Sequence, residues 1–237
     1  MSQLADQPAS GSVKAADGAC CGGAGKVVLT REQIAALPRH ELIQYHRKGV
    51  EAFDKRVFWC TPTQLDSAFL ADAGVGTWPI RVLLGHLADA ELVFIHRMRR
   101  AVAEENPVVA VWDENAFVDA NMYGLPAVGE ASEYPDRGPH PVAGFIAVIH
   151  MLRQWGTDWL MTLDEAALSR RLMHPERGAM TVRDVVSYNA WHLEHHAAFM
   201  RKKLDRLGVS APGAKAAAEA AASGSCGSGC GCSTPAK

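Results

Sequence analysis

Trp191-His-Leu-Glu-His-His196 lies within the last stretch of the chain that has helical periodicity, residues 181–207. At about 100° per residue, His192 and His196 are only ~40° apart on the helix, one turn from each other. Two imidazoles at this spacing can bind the same metal ion. His195 lies about 60° to the other side of His192, so His192 and His195 form a weaker alternative pair. The simplest alternative is that these histidines are unrelated polar residues on a helix surface.

The pattern around these histidines differs from that of the zinc proteases. Those enzymes would need a glutamate at Leu193 or at His195, and neither is present, so their usual general base is missing. A third metal ligand is best sought at His86, which lies mid-helix within the apolar stripe of residues 82–90. Three histidines from two facing helices would leave positions open for water or substrate. A core histidine that is merely hydrogen-bonded is the other interpretation of His86.

Working outward, four long segments are typical of helices: residues 38–60, 78–105, 141–163 and 181–207. Thr30 and Thr77 are predicted to be N-caps, the first of a short helix that precedes Pro38. A short helix fits residues 63–70, and no strand alternation is evident. The fold class is therefore all-α, a four-helix bundle with one long crossover. That crossover, residues 106–138, is expected to be functional and to cover the open end of the bundle.

Composition and charge exclude several classes of partner and location. The chain has 237 residues, of which 48% are hydrophobic and 21% charged, as in a globular protein. A net charge of −2 gives no electrostatic case for nucleic acid or an anionic membrane as a partner. The chain has no apolar run long enough to span a membrane and no recognisable secretion signal, so we expect a cytoplasmic protein.

The two ends differ from the rest of the chain. Residues 1–29 and 209–237 are rich in Ala, Gly, Ser and Cys, and we expect them to be flexible tails around one domain, residues 30–208. Thiolates favour soft metals, so a second metal or redox site in the tails is a hypothesis; incidental thiols are the alternative. The tail cysteines are Cys20, Cys21, Cys226, Cys230 and Cys232.

Several motifs resemble the DinB superfamily, most closely its YfiT-like and bacillithiol S-transferase branch. The resemblance implies an up-down-down-up four-helix bundle, in which a divalent metal is held by His86, His192 and His196. It also allows for a homodimer. The motifs are Trp78-Pro-Ile-Arg81, Gly85-His-Leu-Ala-Asp-Ala-Glu91, Val111-Trp-Asp-Glu-Asn-Ala-Phe117, His174-Pro-Glu-Arg-Gly178, Thr181-Val-Arg-Asp184 and the run from Tyr188 to His196.

The predicted function is that of a metal-dependent enzyme. The metal, zinc or nickel, would stabilise the thiolate of a low-molecular-weight thiol, which then attacks an electrophilic small molecule. A metal-dependent hydrolase is the first alternative. A non-catalytic protein that binds or transports metal through its cysteine-rich tails is the second. Asp113 and Glu114 in the crossover are the candidate catalytic carboxylates, with Asp89 and Glu91 as further helpers and Trp112 and Asn115 as lining residues.

Overall fold

The computed structural model describes residues 29–125 and 142–211. The five tail cysteines and residues 126–138 of the predicted crossover lie outside this part of the chain. The helices are α1 (Arg31–Ala35), α2 (Arg39–Arg47), α3 (Pro62–Asp66), α4 (Ile80–Ala103), α5 (Glu114–Asp119), α6 (Val142–Met161), α7 (Glu165–Leu168) and α8 (Val182–Arg206). None of the helices described here is long and apolar enough to cross a membrane.

The all-α four-helix bundle is confirmed, and α2, α4, α6 and α8 form it. Helix α4 packs against both α6 and α8, and α2 also packs against both. The first and second helices of the bundle therefore lie across from each other. Residues 48–79 make this diagonal connection, whereas the segment after α4 joins the neighbouring helices α4 and α6.

The first bundle helix is shorter than predicted. It was expected to run over residues 38–60, but α2 ends at Arg47, and two 3-10 turns follow, Lys48–Ala52 and Lys55–Trp59. The cause is tertiary. The Arg153 Nη1 atom of α6 donates a hydrogen bond to the His46 carbonyl oxygen at 2.6 Å. A Cβ on Gly49 would lie 2.1 Å from that nitrogen, so only glycine allows this close approach.

A short hairpin corrects the expectation that the chain contains no strands. Strand β1 (Arg171–His174) pairs antiparallel with β2 (Gly178–Thr181), and Gly178 at φ 74° closes the turn between them. The backbone after α4 joins this hairpin. Val109 N–H donates to the Met173 carbonyl at 3.0 Å, and Met173 N–H donates to Pro107 at 2.9 Å. These bonds hold the crossover against the end of the bundle.

The buried apolar residues form two clusters separated by a polar layer. One cluster contains the C-terminal half of α4 and the start of α8, and the other contains the start of α4 and the C-terminal half of α8. Between them, Arg153 is fully buried and pairs with Glu91 at 2.7 Å. Arg153 also donates to the Asn189 side chain at 2.6 Å, and Asn189 donates to Glu91 at 3.0 Å. This layer fixes α4, α6 and α8 relative to one another.

Candidate metal centre

Helix α8 presents two of the candidate ligands. Thr181 caps the helix: its hydroxyl oxygen accepts a hydrogen bond from Asp184 N–H, and the Asp184 carboxylate accepts one from Thr181 N–H. This capping box, which the Thr181-Val-Arg-Asp184 motif encodes locally, sets where the helix begins and therefore which residues face inward. His192 and His196 then share one face, and their Nε2 atoms lie 3.1 Å apart.

Helix α4 supplies the third candidate. His86 is buried, and its Nε2 atom lies 3.2 Å from that of His192. One nitrogen from each of the three histidines lies within 4.8 Å of the other two. His195 is not part of this group. Its ring packs between Trp191 at 4.7 Å and Phe199 at 4.9 Å, so the alternative pairing of His192 with His195 is wrong.

Burial favours the neutral form of these three imidazoles. Burial lowers the pKa of His86 to about 4. The pKa values of His192 and His196 also fall well below the ordinary value, first because of burial and then because of the neighbouring histidines. A neutral imidazole is the form that binds metal, so the site does not have to lose protons near neutral pH to accept an ion.

The spacing of the three histidine nitrogens suits coordination of one divalent metal ion better than hydrogen bonding among the imidazoles. His192 Nε2 lies close to two other Nε2 atoms, but a neutral imidazole nitrogen makes one such hydrogen bond as either donor or acceptor. Ligand nitrogens at 2.0–2.1 Å from a tetrahedral zinc would be roughly 3.3 Å apart. The distances of 3.1 and 3.2 Å are close to that value. His86, His192 and His196 could therefore hold such an ion.

Aromatic rings form the walls of the site. Trp112 stacks on His86 with ring centres 5.1 Å apart and an angle of 14° between the planes, and Trp78 lies 5.0 Å away on another side. Tyr188, one turn before His192, stacks on it at 5.8 Å. Trp112 belongs to the crossover, so this segment contributes one wall of the site.

A cavity of ≈160 Å³ opens beside His86 and His192. Besides aromatic and aliphatic side chains, its lining carries charged and polar groups from three parts of the chain. They are Arg97 of α4, Glu114 of α5, and His174, Glu176 and Arg177 of the hairpin.

The two candidate catalytic carboxylates, Asp113 and Glu114, differ in their position relative to the cavity. Asp113 caps α5, where its Oδ1 atom accepts hydrogen bonds from Asn115 and Ala116 N–H, and it is not among the residues that line this cavity. The structure therefore gives it a local structural role. Glu114 does line the cavity. Asn115 is exposed outside it.

The two helper carboxylates of α4 are engaged elsewhere. Glu91 pairs with Arg153 in the polar layer. Asp89 lies beside Tyr123, and burial raises its pKa. The His86 Nδ1 atom is buried and has no hydrogen-bond partner within the described residues, so Asp89 does not orient the His86 ring.

Sequence reasoning missed two arginines and a histidine of the cavity. Arg97 lies eleven residues after His86, about 20° from it on the helix, and this periodicity could have identified it. His174 and Arg177 belong to a motif that had been noted only for its resemblance. Their position depends on the hairpin, which has no clear signature in the sequence.

The fold and the site together define a class: a four-helix bundle with a buried group of three histidines beside a small cavity. The chain belongs to the DinB superfamily, whose family model matches residues 31–200. It is 26% identical over 181 residues to the Bacillus subtilis protein named "Putative metal-dependent hydrolase YfiT", covering 76% of this chain and 92% of that protein. It is 29% identical over 135 residues to "Putative metal-dependent hydrolase OB0782" of Oceanobacillus iheyensis, covering 57% and 67%.

A solved structure supports the fold. YfiT from Bacillus subtilis, described as a probable metal-dependent hydrolase with an unusual four-helix bundle topology, superposes with a TM-score of 0.58 at 23% identity. The match covers 79% of this chain and 94% of that chain.

Proposed function

We propose that this protein is a metal-dependent enzyme that transfers a low-molecular-weight thiol to an electrophilic small molecule. The observation that carries the proposal is the convergence of the His86, His192 and His196 nitrogens, together with the ≈160 Å³ cavity that His86 and His192 line. A divalent ion held there would supply two kinds of chemistry, because it stabilises the thiolate of a bound thiol and lowers the pKa of bound water to about 7. Zinc and nickel both suit imidazole ligands.

The residues around the three histidines favour thiol transfer over hydrolysis. The Glu91 carboxylate pairs with Arg153, and the Glu194 carboxylate accepts a hydrogen bond from the Tyr45 hydroxyl. Both are therefore unsuited to activating water. A thiol loses its proton far more readily than water does, so it needs less help from a base. Two carboxylates line the cavity, Glu114 and Glu176, and Glu114 is the one proposed to accept that proton.

No cysteine of the described part of the chain can serve as the sulfur donor. Cys60, the one cysteine there, is not among the residues that line the cavity, and burial raises the pKa of its thiol to about 11. The thiol is therefore proposed to be a small co-substrate. Its sulfur would form a bond to the electrophilic carbon as the leaving group departs with the bonding electrons, and the thiol proton passes to Glu114.

Elemental analysis of the purified protein is the first test. We expect about one zinc or nickel per chain, lost in the His192→Ala/His196→Ala double variant and retained in His195→Ala. The control is well matched, because His195 lies on the same helix turn outside the group of three. Metal retained by the double variant would contradict the proposed site.

The reaction is tested next with the metal-loaded protein. A panel of thiols is combined with a chloroarene and an epoxide, and hydrolysis of a nitrophenyl ester is followed in parallel. We expect thiol conjugation that His196→Ala abolishes and His195→Ala retains, and Glu114→Gln should slow it about a hundredfold. Metal-dependent ester hydrolysis without conjugation would instead support the second candidate, a hydrolase, which the names of the relatives favour.

A further inference from the structure

Two guanidinium groups line the cavity beside the histidines, and the charge of Glu176 acts on one of them, that of Arg97. Arg97 donates to the Ala110 carbonyl at 2.8 Å, and Arg177 donates to the Tyr188 hydroxyl at 3.1 Å. Within residues 29–125 and 142–211, neither makes an ion pair, although Glu114 and Glu176 line the same cavity. Each guanidinium carries five N–H groups, so most of their donors are free to bind a ligand.

The arginines are held in place by their surroundings. Arg177 lies over the Tyr188 ring, with its guanidinium carbon 4.4 Å from the ring centre. Arg97 is anchored through the Ala110 carbonyl to the crossover segment whose backbone bonds to Met173 of β1. The two cations also affect each other: the pKa of Arg97 is lowered, first by burial and then by the charge of Arg177. A bound anion would offset both effects.

His174 completes the group as a neutral donor. Its Nδ1 atom accepts a hydrogen bond from Glu176 N–H at 3.2 Å, which places the ring proton on Nε2. Burial, followed by the charges of Arg97 and Arg177, lowers its pKa, so the ring is uncharged near neutral pH. Two arginines and two glutamates line the cavity, so their formal charges sum to zero, and a divalent ion at the three histidines would make the site cationic.

We propose that this cavity binds a carboxylate of the small-molecule substrate through Arg97 and Arg177, with His174 as a third donor. The proposal rests on the proposed function, because it defines the substrate class of the same site. The 4.4 Å from Arg177 to Tyr188 and the 5.8 Å from Tyr188 to His192 place this guanidinium carbon no more than about 10 Å from the His192 ring centre. The guanidinium and the histidines therefore lie within reach of one small molecule.

Binding is tested without any reaction. The full-length protein as purified is titrated with succinate, and with succinamide as the neutral match, while its backbone amide spectrum is recorded. We expect saturable shifts at Ala110 and Glu176 with succinate and none with succinamide. Arg177→Gln, at an exposed position that tolerates change, should weaken succinate binding at least about fivefold. Arg97→Gln should do the same.

Arg99→Gln is the control. Arg99 lies over Trp155 at 4.8 Å and does not line the cavity, so its loss should leave succinate binding unchanged. Equal binding of succinate and succinamide would overturn the proposal. So would a loss in Arg99→Gln as large as that in Arg177→Gln. Neither result depends on thiol transfer.

Turnover then shows which substrate carries the carboxylate. In one arm the thiol is varied: 6-mercaptohexanoate and its amide each react with the same neutral electrophile. In the other arm the electrophile is varied: 4-(bromomethyl)benzoate and its amide each react with the same neutral thiol. We expect the acid to have a kcat/KM at least about fivefold above that of its amide in one arm, a preference that Arg177→Gln removes. If no thiol is transferred but succinate binds as expected, the proposed reaction fails and the carboxylate site stands.

Discussion

Replacing Arg153 with methionine should destabilise the protein by about 4 kcal/mol. Arg153 is fully buried and donates to Glu91, to the His46 carbonyl and to Asn189. Methionine keeps much of the volume but leaves the Glu91 carboxylate, only 3% exposed, with the Asn189 amide as its remaining partner. Removing one member of a buried ion pair costs roughly 3–5 kcal/mol, a large part of the roughly 5–15 kcal/mol that stabilises a typical domain.

The loss should depend on pH. Burial already raises the pKa of Glu91 above its ordinary value, and the charge of Arg153 opposes that rise. Without Arg153 the folded-state pKa rises further above the unfolded value. A carboxyl group of this kind destabilises the fold most when it is ionised. The cost of Arg153→Met should therefore be greatest above the folded-state pKa and should shrink as the pH falls towards about 4.5.

Urea unfolding followed by circular dichroism measures these effects at fixed metal concentration. The double variant Arg153→Met/Glu91→Met removes both charges and should recover most of the lost stability, with a coupling energy of at least about 2 kcal/mol. The control is Arg47→Met, which breaks the exposed pair of Arg47 with Asp158 at 3.0 Å and should cost no more than about 1 kcal/mol. A loss in Arg153→Met as small as in the control, or a double variant as unstable as the sum of the singles, would refute this reasoning.

Three further predictions concern other parts of the chain. Gly85→Ala should destabilise the protein by about 1–3 kcal/mol, because the new Cβ would lie 2.2 Å from the Tyr123 ring; Gly156→Ala, which meets only the flexible end of Ile95, should cost less in the same urea titration. Burial lowers the pKa of Lys203 to about 8, so between pH 8 and 10.5 the unfolded chain binds more protons than the folded one. The unfolding free energy of the native protein should therefore rise over this range by at most about 3 kcal/mol relative to Lys203→Met, and a constant difference would contradict the assignment. Removing residues 1–29 and 209–237, with the tail cysteines, should lower the metal bound per reduced chain if the tails hold a second metal; an unchanged stoichiometry of one would exclude that hypothesis.

The local parts of the fold could be predicted from the sequence. The periodicity of residues 78–105, 141–163 and 181–207 predicted α4, α6 and α8 to within a few residues, because a helix is stabilised by contacts three and four positions apart. The predicted N-cap Thr77 is wrong, because α4 begins at Ile80 and its N-cap residue is Pro79. The same spacing predicted that His192 and His196 share one helix face. The apolar stripe around His86 predicted that this side chain points towards the core. Three of the residues that form the site were therefore identified by short-range geometry.

Other features depend on partners distant in the chain, and only the tertiary structure decided them. Helix α2 ends at Arg47 because Arg153, more than a hundred positions later, bonds to the His46 carbonyl. The hairpin and its bonds to the crossover bring His174 and Arg177 to the cavity that Arg97 lines. Such contacts depend on packing and charge pairing between residues that are distant in the chain, and these produce no regular spacing in the sequence. The sequence by itself thus determined the helices and the three histidines, whereas the tertiary structure determined the polar layer and the charged groups around the site.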